Sequence, residues 1–220
     1  MFLLIDDLLS AAEVATVTSL AQQARFVDGR VTNPHNTTKK NVIAEAGGAA
    51  AQQASQIGLT ALQRNEQAMN FTFAARIAPP TLCRYGVGMT YGVHTDAAHL
   101  AVGQQGLRSD LSCTIFLSEP GSYQGGELVI HLGTEVIPIK GRRGAAILYP
   151  STTLHEVAPV VSGERLVMIT FIQSRIADQM HRDLLYTLGE VRALEGLKME
   201  WHNRVHLEHV ISNLQRMWSH

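Results

Sequence analysis

The sequence predicts an α+β fold, with helices packed on one face of a central β-core of sandwich or jelly-roll type and a C-terminal helical appendage. Two patterns predict it. From residue 71 to residue 174 the chain breaks into short runs rich in aromatic, Thr, Val and Ile residues, punctuated by Gly, Pro and Ser. On either side of that stretch, apolar residues recur at three- and four-residue intervals, the period of a helix with one buried face.

In chain order, residues 2–5 form an apolar run suited to a buried strand, and Ser10 and Glu13 have the spacing of a capping box. The Ala-rich stretch that follows reads as a helix to about residue 25. Residues 28–49 are a long polar connection carrying a short strand at 40–43, and residues 49–69 read as one helix that Gly58 weakens. Strands are expected at 71–77, 81–85, 112–117, 127–131, 135–139, 145–149, 154–157 and 165–172. Within residues 111–118, small polar residues alternate with Leu, Cys, Ile and Leu, as on a strand with one face against a core. Beyond Ser174, the positions Ile176, Met180, Leu184, Leu188 and Val191 mark a helix face, and Gly196 separates it from a helix near Val210, Ile211, Leu214 and Trp218. Three regions follow: an N-terminal support region at 1–70, the β-core at 71–175, and a C-terminal helical region at 176–220.

The 220 residues suffice for one substantial domain, burying roughly 70% of the unfolded surface without disulfides. At 45% hydrophobic and 17% charged residues, the composition excludes disorder. A net charge of −1 excludes a nucleic-acid partner, which needs an excess of basic surface. No run nears the ~20 apolar residues of a membrane span. Residues 1–9 carry Asp6 and Asp7 and no basic start, unlike a secretory signal. Cys83 and Cys113 are too few for a disulfide framework and read as packing residues of a cytoplasmic protein without a membrane partner.

The chemistry concentrates in Arg84-Tyr-Gly-Val-Gly-Met-Thr-Tyr-Gly-Val-His-Thr-Asp96. His94 and Asp96 are two apart, so on an extended chain both side chains point to one side of the sheet. His155 lies near another strand end. Two imidazoles and a carboxylate form the facial triad that suits non-haem Fe(II) and leaves three coordination positions for a co-substrate and O2. Arg165 opens the last strand and offers the two parallel donors that grip a carboxylate, and the Tyr85 hydroxyl is a second donor. Gly86, Gly88 and Gly92 have the wrong spacing and no following helix for a dinucleotide loop, so turns and close backbone approach explain them. Gly125-Gly126 reads the same way. His202, His206 and His209 share a helix face that is best read as solvated. Lys39-Lys40 and Arg142-Arg143 read as surface charges, and Arg108 and Asp110 read equally as site-lining residues or as an ion pair.

These segments, with Arg108-Ser-Asp-Leu-Ser112, Phe116-Leu-Ser-Glu-Pro120, Gly125-Gly-Glu-Leu-Val129, Leu148-Tyr-Pro-Ser151, Gly163-Glu-Arg165 and Phe171-Ile-Gln-Ser174, resemble the bacterial PKHD-type hydroxylases. The resemblance covers most of residues 71–174, in order. It implies a double-stranded β-helix (jelly-roll) core, iron on His94, Asp96 and His155, 2-oxoglutarate on Arg165, and L-ascorbate keeping the iron ferrous. The implied reaction couples conversion of 2-oxoglutarate to succinate and CO2 with hydroxylation of a C–H bond. The segment 95–105, and the run Gly103-Gln-Gln-Gly106 at its end, look peculiar to this chain and carry no substrate identity.

The implied substrate is a small molecule or an amino-acid-type group, and the family's association with bacterial iron uptake favours an iron chelator. Two readings from other classes compete: a non-catalytic iron or 2-oxoglutarate sensor, and a zinc hydrolase, which lacks its His-Glu-x-x-His helix here. The apolar face of the C-terminal helices can pack on the core or on another subunit of a homo-oligomer.

Overall fold

The computed structural model describes residues 1–102 and 105–219; Gly103 and Gln104, in the segment peculiar to this chain, lie outside the described residues. The chain opens with β1 (Leu3–Ile5) and α1 (Ala11–Gln23). The Ser10 hydroxyl accepts from the Glu13 amide at 3.3 Å, while Glu13 Oε2 accepts from the Ser10 amide at 2.9 Å. Next come β2 (Phe26–Asp28), β3 (Val42–Ala44), α2 (Ala49–Arg64) and α3 (Glu66–Thr72). The single helix expected over 49–69 is split, because the Asn65 side chain caps α3 by accepting from the Ala68 amide at 2.8 Å. The expected strand at 71–77 is shortened for the same reason. Phe71 and Thr72 complete α3, Phe73 ends it at a left-handed φ of 47°, and β4 (Ala74–Ile77) follows.

The core continues through β5 (Thr81–Tyr85), β6 (Tyr91–His94), β7 (His99–Val102), β8 (Gln105–Arg108), β9 (Leu111–Phe116), β10 (Gln124–Gly125), β11 (Leu128–Leu132) and β12 (Glu135–Ile139). It closes with β13 (Ala146–Pro150), β14 (Leu154–Val157), β15 (Val160–Ser162) and β16 (Arg165–Ser174), followed by α4 (Gln179–Glu195) and α5 (Trp201–Trp218). The main antiparallel sheet has the order β1-β13-β9-β16-β5-β3-β2, with β4 also on β16, and a second sheet runs β12-β11-β14-β6. This is a jelly-roll core carrying helices.

Strand alternation divides the interior in two. Leu111, Cys113 and Ile115 of β9, Leu166, Met168 and Ile172 of β16, and Ala146 and Leu148 of β13 join α1, α2 and α3 in one core. Their alternates Phe116, Val167, Ile147 and Tyr149 pack with Cys83 and Tyr85 of β5 and with Leu128, Ile130 and Val157 of the second sheet. Gly125 turns the chain beside this second core at a φ of 70°, and a Cβ there would lie 2.0 Å from the Pro159 carbonyl oxygen.

The C-terminal face differs from expectation. Arg182 and Leu185 are buried and Tyr186 meets Phe71 edge-on at 5.1 Å, whereas Met180, Leu184 and Val191 are exposed. The inward stripe is held by polar as well as apolar contacts, since Arg182 Nη1 donates to the Ile176 and Ala177 carbonyls at 2.8 and 2.7 Å. His202, His206 and His209 are exposed, with His202 and His206 Nε2 atoms 3.0 Å apart. Arg108 and Asp110 form an ion pair at 2.7 Å. Lys39 is not a surface charge: it is buried, with Nζ donating to Thr32 Oγ1 at 2.6 Å. Cys83 and Cys113 are both free and buried. No helix among the described residues is long and apolar enough to cross a membrane.

Arg64 ties α2 to α1 by donating to Glu13 Oε2 at 2.6 Å, and with the Ser10 bonds it holds the Glu13 carboxyl at about 2 rather than 4.5. A depressed carboxyl stabilises the fold above its unfolded pKa and loses that effect as pH falls through its folded value. Since Arg64 is half exposed, the pair is worth roughly 1 kcal/mol. Thermal melts of Arg64→Ala are expected to fall below wild type at pH 7 and to converge on it between pH 4.5 and pH 2.

Candidate active site

The antiparallel pairing of β6 with β14 sets His94 directly opposite His155, with ring centroids 4.3 Å apart. His94 Nδ1 lies 2.7 Å from the Gly92 carbonyl oxygen, and His155 Nδ1 lies 2.9 Å from that of Thr153. A carbonyl only accepts, so each Nδ1 carries the proton and each Nε2 keeps a free lone pair. Both nitrogens converge with an oxygen ligand. Asp96, just past β6, has Oδ1 4.0 Å from His94 Nε2 and Oδ2 3.7 Å from His155 Nε2. One ligand atom from each of the three residues lies within 4.8 Å of the others, which fits a single divalent ion.

The surroundings hold these groups in place. Ser112 Oγ donates to Asp96 Oδ2 at 2.5 Å, and a chain of 2.7 Å hydroxyl contacts runs from Ser112 through Ser151 to Ser109. The Asp96 amide donates to the Ser151 carbonyl at 3.3 Å. Tyr91 stacks on His94 with ring centroids 3.6 Å apart, and Asn33 Nδ2 donates to its hydroxyl at 3.1 Å. Burial, and then the neighbouring His155, hold the His94 imidazole down to about 4, so it is neutral at pH 7 and ready to ligate.

The other end of the same cavity is cationic. Register pairs Arg165 of β16 with Tyr85 of β5, and the guanidinium lies 4.9 Å from the Tyr85 ring centroid. Arg165 is only 2% exposed, its Nε has no hydrogen-bond partner, and it forms no ion pair among the described residues. A buried charge without a counter-charge costs several kcal/mol, so the group this pocket accommodates is an anion. Gly126 leaves room for the side chain, since a Cβ there would lie 3.3 Å from Arg165 Cδ. Tyr85, His94, Asp96, His155 and Arg165 line one cavity, with Thr114, Leu128, Tyr149 and Val157 between them. A metal-binding corner facing a guanidinium across a largely apolar gap suits a short dicarboxylate with one chelating end.

All five residues singled out in the sequence therefore meet in this cavity. Sequence reasoning missed Ser112, Tyr91, Tyr149 and Asn41. Ser112 and Tyr91 had a signal: Ser112 sits on the polar alternate of β9, and Tyr91 is within the quoted motif three residues before His94. Asn41, which donates to the Tyr85 hydroxyl at 3.0 Å, had none, because only tertiary pairing brings it close.

Residues 80–173 match the 2OG-Fe(II) oxygenase superfamily. The chain is 48% identical over 218 residues to a PKHD-type hydroxylase of Sphingopyxis alaskensis, with 99% of each chain covered. It is 37% identical over 223 residues to one of Alteromonas mediterranea, again covering 99% of each. Among solved structures it is similar to a Pseudomonas putida prolyl-4-hydroxylase at a TM-score of 0.58 and 21% identity, covering 79% of this chain and 92% of that one.

In the metal-free protein, NMR titration is expected to find the His94 imidazole protonating near pH 4, while an exposed imidazole titrates near its ordinary 6.5. A His94 midpoint at or above 6.5 would show that the ring is not desolvated as described.

Proposed function

The chain belongs to the PKHD-type hydroxylases of the 2OG-Fe(II) oxygenase superfamily, and on that premise we propose that His94, Asp96 and His155 hold its iron while Arg165 and Tyr85 hold the distal carboxylate of 2-oxoglutarate. The protein is an Fe(II)- and 2-oxoglutarate-dependent dioxygenase. One observation carries the residue assignment: three converging ligand atoms share a cavity with a buried guanidinium that has no counter-charge.

Bound iron supplies the oxidative chemistry that converts 2-oxoglutarate to succinate and CO2 while a C–H bond is hydroxylated. The chain's own residues supply geometry. The Gly92 and Thr153 carbonyls fix the imidazole tautomers, Ser112 fixes Asp96, and Arg165 sets the reach of the co-substrate from the metal. Apolar side chains between the two ends, Leu128 and Val157 among them, keep bulk water away. O2 is the oxidant and L-ascorbate the reductant that keeps the iron ferrous.

The substrate we infer is a small molecule or an amino-acid-type group, without nucleic acid or membrane as partner; the balanced charge supports this. Two free, buried thiols support a cytoplasmic location. Exposed Leu194, Leu197 and Trp201 support homo-oligomer formation through the C-terminal helices.

Anaerobically purified protein given Fe(II), 2-oxoglutarate, ascorbate and O2 is expected to form succinate. His94→Ala, Asp96→Ala and His155→Ala should each lose both iron and turnover. Arg165→Ala should keep iron and bind 2-oxoglutarate roughly 100-fold more weakly; unchanged affinity would refute that assignment. Tight 2-oxoglutarate binding with no succinate would favour a sensor, and zinc in place of iron a hydrolase. Ser112→Ala is expected to cost roughly tenfold in metal affinity, read by competition with a chelator.

A further inference from the structure

We propose that Asn41 is a positioning residue for 2-oxoglutarate, its side-chain amide turning the Tyr85 hydroxyl proton toward the distal carboxylate. This rests on the assignment of Arg165 as the carboxylate anchor. Neither the superfamily motif nor the sequence pattern points to Asn41, which lies outside the matched residues 80–173.

The argument is an inventory of donors and acceptors. A phenol has one proton to give and lone pairs to receive. Asn41 Nδ2 donates to the Tyr85 oxygen at 3.0 Å, so the amide occupies the accepting side and the O–H must point elsewhere. No acceptor for that proton is found among the described residues, although Tyr85 is only 4% exposed. Burial also pushes the hydroxyl well above its usual pKa, so the proton is present at neutral pH. A buried donor without an acceptor is costly, and a bound carboxylate supplies the acceptor.

Sheet topology sets the direction. β3, β5 and β16 are adjacent, with Val42 opposite Arg84 and Arg165 opposite Tyr85. Asn41, Tyr85 and Arg165 thus form a row across three strands with the tyrosine in the middle. With its lone pair taken on the Asn41 side, the hydroxyl donates on the side of the cavity and the guanidinium.

The backbone that carries the amide is fixed. Asn41 is buried, its backbone carbonyl accepts from the Gly29 amide at 2.8 Å, and neighbouring Lys40 pairs with Thr90. Its Oδ1 lies where Gly29 has no side chain, since a Cβ there would come within 1.8 Å. Gly29 therefore keeps the space in which the amide oxygen sits, and that oxygen accepts no hydrogen bond among the described residues.

The test compares anaerobic calorimetric titrations of the Fe(II) protein with 2-oxoglutarate and with 2-oxobutyrate, which lacks the distal carboxylate. The charge-transfer absorption of the chelated 2-oxo acid provides a second readout. Asn41→Ala is expected to weaken 2-oxoglutarate roughly tenfold and leave 2-oxobutyrate unchanged. In a Tyr85→Phe background, Asn41→Ala should add nothing. Asn41→Asp, which only accepts and so captures the hydroxyl proton, should bind 2-oxoglutarate more weakly than Asn41→Ala. Unchanged 2-oxoglutarate affinity in Asn41→Ala, equal loss for both acids, or a loss that persists without the Tyr85 hydroxyl would each overturn the proposal. If wild type does not prefer 2-oxoglutarate to 2-oxobutyrate and Arg165→Ala changes neither, the carboxylate anchor itself fails, and this proposal with it.

Discussion

The two-residue alternation of the central strands governs everything else in this molecule. Along β9, Leu111, Cys113 and Ile115 face the helices while Ser112 and Thr114 face the cavity. Along β16, Leu166 and Met168 face the helices while Arg165 faces the cavity. A one-residue slip in either strand would send the guanidinium or the Ser112 hydroxyl into the apolar core under α1 and α2, and leucine into the site. The helix-side core is therefore more than a support. Its close packing pins the register that decides which side chains the cavity receives.

The cavity is electrostatically divided, and the division follows from what each end can tolerate when buried. At the metal corner the His94 imidazole is neutral at pH 7 and the single carboxylate accepts from the Ser112 hydroxyl. At the far end the guanidinium retains its charge because arginine cannot shed its proton. Tyr85 stays neutral beside it, and its ring gives the cation a partial counterpart. One end thus lacks a cation and the other an anion, which is a more restrictive specification of the ligand than either end alone.

Much of this was legible in the sequence, and the exceptions share a cause. The i, i+2 spacing of His94 and Asp96, the strand-like texture around Arg165 and the alternation in residues 111–118 are local signals that survive folding unchanged. The split at Asn65 was available as a capping residue, but strong helix formers on both sides masked it. β2 and β15 are three residues long, too short for any periodicity to register. The inward face of α4 was misjudged because Arg182 satisfies backbone carbonyls and so occupies a position that hydrophobicity would assign to leucine. Lys39 and Asn41 belong to a polar segment whose burial depends on Tyr85 and Tyr91, on strands remote in sequence.

The position of β16 also dictates when this site can come into being. The strand pairs with β4, β5 and β9, so the middle of the main sheet is filled by the last strand to be synthesised. At the sheet's edge Leu3 waits for Leu148. Such pairings close long loops before any contact energy is recovered, which places the chain among the slower-folding topologies. During translation β4, β5 and β9 emerge with edges that stay unpaired until β16 is available. Emergence of the guanidinium and completion of the sheet are therefore a single event, and no partly made chain carries an assembled site.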